Sequence, residues 1–330
     1  MAHHVSLRRL SIAVGLLLLF GLPFFLRSQE YVLHICNQVL LNLVITLGFL
    51  LILGLSKQFS LCQVAFYGIG GYAVALLTAS AGWNFFLALP VAGLLAGGTA
   101  VLVCIPCVRF EGPWFALVTF SFAEIARILM VRWKAITGGA QGFYGIPTPS
   151  LAGFRFSAEF HYFYLFLVLA LLVLAVTIRI RLSPLGRLWL ATGDTPHAVQ
   201  AMGTNLALHR MLVVFVGSVF AGLAGGLFAS YVTFISPESF TINHTIYFLT
   251  ILVVGGLESI PGAVLSVIVF TLLSNYLLAL YPWDLVLQGL TIVLFMNFLP
   301  RGLGSLVSRR SPGIEPREDV QRRESVGGHA

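Results

Sequence analysis

The chain has 330 residues, 58% of them hydrophobic, and its 19 basic and 12 acidic side chains give a net charge of +7. So few charged side chains cannot cover the surface of a water-soluble protein of this length. The composition therefore excludes a soluble enzyme, a nucleic-acid-binding protein and a disordered chain as descriptions of the whole molecule.

Apolar runs long enough to cross a bilayer follow one another along most of the sequence. A helical span needs roughly 17 to 25 predominantly apolar residues, and Lys57 is the only charged residue between Tyr31 and Val108. We predict an all-α polytopic membrane protein with nine or ten transmembrane helices, some of them short or broken. The predicted spans are residues 10–26, 31–55, 61–81, 85–108, 114–131, 161–180, 210–232, 245–257, 262–281 and 284–299.

The first run follows Arg8 and Arg9, as in a signal peptide, but no cleavage site of small residues comes after it. We therefore interpret residues 1–30 as a cytoplasmic N-terminus and a retained first anchor. Residues 31–305 form the predicted main transmembrane domain. Residues 306–330 are rich in charge, and we expect them to form a disordered cytoplasmic tail.

Two spans have weak points. Gly68, Gly70 and Gly71 interrupt the run at 61–81, and the short run at 245–257 contains Gly255 and Gly256. Short or glycine-interrupted spans often mark a transport pathway, so these five glycines are candidate pathway residues.

Glu124 and Arg127 place two charges inside the run at 114–131. Three residues apart, they share one helix face and can neutralise each other. The pair either lines a cavity or the translocation pathway, or forms an internal ion pair near the outer interface.

Basic residues predict the orientation. If ten spans begin with the N-terminus inside, 14 basic residues fall in inner loops and 4 in outer loops. This bias follows the positive-inside rule, so both termini are predicted to be cytoplasmic. Residues 132–160 then form an external loop and residues 181–209 an internal one.

The sequence lacks the motifs of an energy-coupling or catalytic protein. It contains no Gly-Lys dipeptide and hence no P-loop, so ATP hydrolysis would belong to another subunit. It also lacks an H-E-x-x-H motif, and Cys104 and Cys107 are interpreted as packing thiols. We predict neither enzymatic activity nor a cofactor or metal.

The internal loop contains a predicted short helix. Asp194 or Thr195 can cap it, Pro196 takes its first position and Gly203 can end it. A helix of about seven small residues is either a docking element or an ordinary structured loop.

The sequence resembles the permease subunits of branched-chain amino acid ABC importers, of the LivH and LivM type and closest to LivM. The resemblance covers nearly all of residues 31–305. It rests on the blocks AFYGIGGY at 65–72, FSFAEIAR at 120–127, TGGAQG at 137–142, GIP at 145–147, AMG at 201–203, AGLAGG at 221–226, FISPESF at 234–240, GGLES at 255–259 and PRGL at 300–303.

The resemblance implies one half of a transmembrane pathway in the inner membrane, carrying hydrophobic amino acids by alternating access. The implied partners are a second, LivH-like permease, two cytoplasmic ATPases and a periplasmic substrate-binding protein. It also implies that the internal loop couples to the ATPase, through Gly193, Asp194, Ala198, Ala201, Met202 and Gly203.

The sequence departs from the family at residues 195–200, which lack the usual acidic, alanine-rich character, and at Gln63, near which the family usually carries histidine. A urea or amide permease of the same family and an ion-coupled secondary transporter remain alternatives.

Overall fold

The structure, a computed structural model, describes residues 29–107, 110, 112–151, 154–156, 158–278 and 302–304, together with 21, 286, 289 and 290. Apart from these isolated positions, the predicted spans at 10–26 and 284–299 and the tail at 306–330 lie outside the described residues. Their assignment stays a prediction.

Six described helices are long and apolar enough to cross a membrane. They are α1 (Glu30–Phe49, continued by π-helical turns at Leu50–Leu55), α2 (Gln63–Ala75, continued by π-helical turns at Leu76–Ser80), α3 (Phe85–Cys107), α4 (Pro113–Arg132), α6 (Glu159–Leu182) and α9 (Leu206–Val232). The remaining helices are the short α5 (Lys134–Thr137), α7 (Pro184–Asp194) and α8 (Pro196–Ala201), and the apolar α10 (Ile242–Gly255) and α11 (Ile260–Leu278). The all-α, multi-pass architecture is confirmed.

The segment predicted as an external loop contains structure that the sequence did not reveal. Strand β1 (Phe143–Tyr144) pairs antiparallel with β4 (Phe234–Ile235), and β2 (Ser150–Leu151) pairs with β3 (Phe154–Arg155). The rings of Tyr144 and Phe234 stack with centroids 4.3 Å apart. Short 3-10 turns at Gly139–Gln141 and Pro237–Phe240 complete this region.

The helices α1, α2 and α9 form the centre of the bundle, with α3 packed against α2 and α9. Small residues allow α9 to approach its neighbours closely, since a Cβ on Gly222 would meet Ala96 Cβ at 2.5 Å. By contrast, α4 contributes few buried residues and exposes a row of large apolar side chains.

The bundle has two ends. The first, which we call the coupling-loop end, carries the connections at 56–62, 183–205 and 256–259, which meet through Lys57, Asp194 and Glu258. The other, which we call the strand end, carries β1 to β4 and the 3-10 turn before α10.

Candidate functional site

The connection between α6 and α9 folds into two short helices. In α7, the Ser183 hydroxyl accepts a hydrogen bond from the Gly186 N–H at 3.2 Å and so caps the helix. The next helix, Pro196–Ala201, lies where the sequence predicted one. Gly203 follows with φ of 78°, a left-handed conformation typical of the residue after a helix. The predicted helix is confirmed, whereas α7 was missed.

The predicted cap of α8 is wrong in its chemistry. Thr195 occupies the N-cap position, but its side chain accepts no hydrogen bond from the first turn of the helix. The Thr195 hydroxyl instead donates to the Ala191 carbonyl at 3.4 Å. The Asp194 carboxylate is engaged elsewhere, as the acceptor of a hydrogen bond from the Lys57 ammonium. A tertiary ion pair therefore takes the place of the predicted local cap.

Charged groups from three connections meet at the coupling-loop end. The Lys57 ammonium bonds Asp194 and lies 3.9 Å from the Glu258 carboxylate, while the Arg181 guanidinium donates to the Glu258 main-chain carbonyl. The hydrogen bond to Asp194 raises the pKa of Lys57, with smaller contributions from the charges of Asp194 and Glu258 and an opposing one from desolvation. Gly193 adds direct packing, because a Cβ there would approach the Ser56 carbonyl carbon to 3.0 Å.

The helix α8 presents small side chains outward. Val199 is fully buried and anchors the helix, whereas Ala198, Ala201 and Met202 are exposed, Met202 by 71%. Ala198, Ala201 and Met202 lie at spacings of three and four, so they share one face of the helix, while His197 and Gln200 are exposed elsewhere on it. This arrangement leaves an anchored helix with a compact, open face.

The glycines in α2 permit close contact with α9. A Cβ on Gly70 would overlap the backbone of Gly222, and one on Gly71 would meet the Gly225 carbonyl at 3.2 Å. Gly68 instead faces Phe240, whose ring carbon would lie 2.9 Å from an added Cβ. The helix stays α-helical through all three glycines. Gly70 and Gly71 therefore allow the backbones of α2 and α9 to approach closely.

The short helix α10 ends where the sequence predicted a break. Gly256 has φ of 97°, and the backbone of Gly255 lies against Gly262 at the start of α11. The Leu303 N–H reaches back to the Val254 carbonyl at 2.8 Å. A tight turn therefore joins α10 and α11 beside Glu258.

Glu124 and Arg127 form an ion pair on α4. The Arg127 Nε donates to both carboxylate oxygens of Glu124, at 3.0 and 3.1 Å. Their side chains are 38% and 31% exposed on a helix that otherwise exposes apolar residues. Lipid is a costly environment for exposed charges even when they are paired, so this side of α4 calls for a polar or protein neighbour.

The structure contains a polar cavity of about 690 Å³ towards the strand end, which was not predicted from the sequence. It lies between α1, α9, α10 and α11, and α1 contributes His34, Asn37, Gln38 and Asn42 to its wall. These four positions share one helix face within an apolar run. That spacing was a signal in the sequence, because polar residues inside a span usually serve function.

Hydrogen bonds link the wall of this cavity to Glu159 at the start of α6. Its Oε2 accepts from the Tyr231 hydroxyl at 2.6 Å and from Asn37 Nδ2 at 2.7 Å. His34 Nδ1 lies 2.5 Å from the Tyr231 hydroxyl, and His34 Nε2 lies 3.0 Å from Gln38 Nε2. Polar groups that are distant in sequence thus form one network.

The cysteine pair of α3 is part of the core. Cys104 and Cys107 are buried free thiols, in keeping with the packing interpretation. Across the part of the chain that the structure describes, no cluster of three His, Cys, Asp or Glu side chains could hold a metal ion.

Comparison with known proteins places the chain in a family. Residues 31–296 match the profile of the branched-chain amino acid transport system permease component. The chain is 32% identical over 293 residues to the high-affinity branched-chain amino acid transport system permease protein LivM of Escherichia coli strain K12, with 82% of this chain and 69% of the relative covered. LivM of Salmonella typhimurium strain LT2 is 31% identical with the same coverage.

A probable branched-chain amino acid transport permease protein LivM of Methanocaldococcus jannaschii is 22% identical over 236 residues, covering 66% of this chain and 67% of the relative. No solved structure matches the chain. The profile match spans α1 to α11 and the relatives cover most of the chain. The protein therefore belongs to the family of permease components of branched-chain amino acid transport systems.

Proposed function

We propose that the chain is one permease subunit of an ABC importer that carries branched-chain or other hydrophobic amino acids across the inner membrane. Its partners are a second permease, two cytoplasmic ATPases and a periplasmic substrate-binding protein. The relatives, named as high-affinity branched-chain amino acid permeases, support the substrate class. Since the chain lacks a P-loop, it uses the ATPase as its energy source and is not itself an enzyme.

The observation that carries this proposal is the geometry of the coupling loop. Ala198, Ala201 and Met202 form a small exposed surface that a partner can contact. Asp194 of the same loop accepts a hydrogen bond from Lys57, which lies between α1 and α2. Motion of the loop is therefore delivered to two transmembrane helices by an ion pair and by the contact of Gly193 with Ser56.

We place the translocation pathway along the exposed side of α4. The Glu124 and Arg127 pair supports this placement, because a face that mixes exposed charges with apolar side chains suits a subunit interface or an aqueous path better than lipid. Gly70 and Gly71 serve the pathway indirectly, by fixing α2 against α9, and Gly68 does so by making room for Phe240. Gly255 and Gly256 also act indirectly, because they form the turn that joins α10 to α11 beside Glu258.

A urea or amide permease and an ion-coupled transporter predict different transport data. The test is uptake of labelled leucine, urea and acetamide into proteoliposomes that contain the purified complex and its substrate-binding protein. Leucine uptake that requires ATP and is insensitive to proton and sodium ionophores supports the proposal. Uptake of urea alone, or uptake driven by an ion gradient without ATP, would replace it with the corresponding alternative.

The orientation is also part of the proposal. The coupling-loop end faces the cytoplasm, both termini are cytoplasmic, and the strand end faces the periplasm. The bias of 14 inner to 4 outer basic residues supports this arrangement. Reporter fusions at Ala330 and near Phe154 test it, and an external Ala330 would reverse it.

A further inference from the structure

We propose that the polar cavity towards the strand end binds an amino acid, with its ammonium group at the part of the wall where Asn37 and Tyr231 hold the Glu159 carboxylate, and its apolar side chain against the aromatic residues of the lining. This inference rests on the proposed function and adds a substrate site to it, next to the 3-10 turn Pro237–Phe240 that also contacts α4. Its basis is the chemistry of the cavity wall and the Glu159 carboxylate bound to it, which has no lysine or arginine partner among the described residues.

Both hydrogen bonds that the described residues donate to the Glu159 carboxylate go to the same oxygen. Tyr231 and Asn37 donate to Oε2, whereas in the described part of the chain Oε1 has only His34 Nδ1 near it, at 3.5 Å. Among the described residues, no lysine or arginine forms an ion pair with Glu159. Its side chain is 30% exposed. A carboxylate so close to the apolar bundle gains from a cationic partner.

The hydrogen-bond directions around Tyr231 direct the Nδ1 proton of His34 to the Tyr231 hydroxyl and not to Glu159. The Tyr231 hydroxyl donates its one proton to Glu159, so it accepts from His34 Nδ1–H. The other ring nitrogen of a neutral His34 then accepts from Gln38, whose own carbonyl accepts from Asn275 at 2.8 Å. A directed chain therefore runs from Asn275 to the carboxylate.

Asn37 adds to the negative electrostatic potential near the Glu159 carboxylate. Its amide nitrogen donates to the Glu159 carboxylate and, at 3.2 Å, to the Glu159 carbonyl. Both neighbours are acceptors, which fixes the amide orientation and leaves the buried Asn37 Oδ1 without a partner among the described residues. The carboxylate bonded to the amide polarises this buried oxygen further, which adds negative potential behind the cavity wall.

The rest of the cavity suits an ammonium group on an apolar body. Tyr231 and Phe166 lie with ring centroids 5.3 Å apart beside the Glu159 network, and aromatic faces attract cations. Tyr67, Phe228 and Phe248 contribute apolar surface, with Tyr67 and Phe228 centroids 5.6 Å apart. The lining includes the acidic Glu238 and contains no lysine or arginine among the described residues. Its volume falls within the range of small-molecule sites.

The test measures equilibrium binding of labelled leucine to the complete transporter in lipid nanodiscs, without the substrate-binding protein. Isoamylamine, which lacks the carboxylate, should compete with leucine, whereas 4-methylpentanoate, which lacks the ammonium, should not. Glu159→Gln keeps the size of the side chain and removes its charge. We expect this variant to bind leucine at least tenfold more weakly and to lose the preference for the amine. Glu30→Gln, an exposed acid at the same end, is the matched control and should bind as the wild type does.

A second variant keeps the test decisive if Glu159→Gln fails to assemble. Asn243 is exposed at the cavity, and its side chain makes no hydrogen bond to another described residue, so Asn243→Trp should block entry and abolish binding. Ile246→Trp, on an exposed part of the same helix outside the lining, should retain binding. Absence of saturable wild-type binding at millimolar leucine, equal competition by the acid, or normal binding by Asn243→Trp would each overturn the inference.

Uptake assays on the same preparations separate this inference from the proposed function. If the wild type imports leucine with ATP while the cavity variants bind leucine normally, the cavity assignment fails and the permease proposal stands. If the wild type binds leucine in the cavity without importing it, the permease proposal fails and the binding site remains.

Discussion

The Lys57 ammonium donates a hydrogen bond to the Asp194 carboxylate across 137 residues of sequence. Lys57 also has φ of 51°, an uncommon conformation for a residue with a side chain, which directs the chain from α1 into α2. The coupling loop is therefore attached to a sharply turned connection between two central helices. Movement of the loop should therefore displace this turn first.

Loss of this ion pair should impair transport more than stability. Both side chains are almost half exposed, so the pair stabilises the fold by about 0–1 kcal/mol. We expect Lys57→Met to lower ATP-driven uptake about fivefold, a loss of coupling of about 1 kcal/mol, without lowering the amount of assembled complex. Uptake by the exchanged pair Lys57→Asp with Asp194→Lys should recover part of the loss. Equal uptake by Lys57→Met and the wild type would remove the ion pair from the coupling route.

The pH dependence of this contribution follows from the raised pKa of Lys57. A raised pKa in the folded state means that the stabilisation is fully present below the unfolded value of about 10.4 and is lost as pH rises through the folded value. Thermal unfolding of wild type and Lys57→Met should therefore differ by a constant amount from about pH 6 to pH 9. A difference that vanishes within this window would contradict the assignment.

Gly70 should be intolerant of any larger side chain, because an added Cβ overlaps the backbone of Gly222. Overpacking of this kind costs about 1–3 kcal/mol or more when the backbone must move. We expect Gly70→Val to lose assembled complex and uptake together, as measured by size-exclusion chromatography and transport.

Gly98 provides the control for Gly70. It is also a helical glycine, but an added Cβ on it would meet no atom within 4 Å. Gly98→Val should therefore fold, assemble and transport normally. Loss of assembly in this variant alone would indicate that α3 contacts a partner subunit at Gly98. Normal assembly of Gly70→Val would refute the close-contact account.

The exposed side of α4 should be accessible to polar reagents. Ser121 is exposed one turn from Glu124, so a Ser121→Cys variant should react with a charged maleimide in the assembled complex. Leu172 lies exposed on α6 between exposed valines 168 and 176, a face that suits lipid, and Leu172→Cys should react at least tenfold more slowly. The wild-type cysteines give the background. Equal rates would argue against a pathway along α4.

The transmembrane helices were predictable because a bilayer imposes a length on each apolar run. The predicted span 85–108 matches Phe85–Cys107, and 114–131 matches Pro113–Arg132. The helix α7 was missed because its 11 residues are amphipathic and lie outside the apolar runs. The β1 and β4 pairing was also missed, since strands of two residues are determined by packing between segments 90 residues apart rather than by local pattern.

The candidate site was only partly visible in the sequence. Glu124 and Arg127 are neighbours on one helix, so their pairing could be read from spacing alone. Glu159 and Tyr231 are 72 residues apart, and their hydrogen bond depends on how α6 and α9 are placed around α1. Six helices contribute residues to the cavity wall, and no single segment of the sequence could reveal that arrangement.

Ala201→Glu tests most directly whether α8 transmits the action of an ATPase to the transmembrane helices. Ala201 is exposed, so the variant should fold, whereas a charge buried unpaired in an interface costs several kcal/mol. Gln200→Glu, which adds the same charge on an adjacent face of the helix, is the matched control. The measurement is leucine uptake together with co-purification of the ATPase, at matched expression. Ala201→Glu should lose both leucine uptake and ATPase binding, whereas Gln200→Glu should retain them. Full uptake with intact ATPase binding by Ala201→Glu would mean that α8 does not transmit the action of the ATPase.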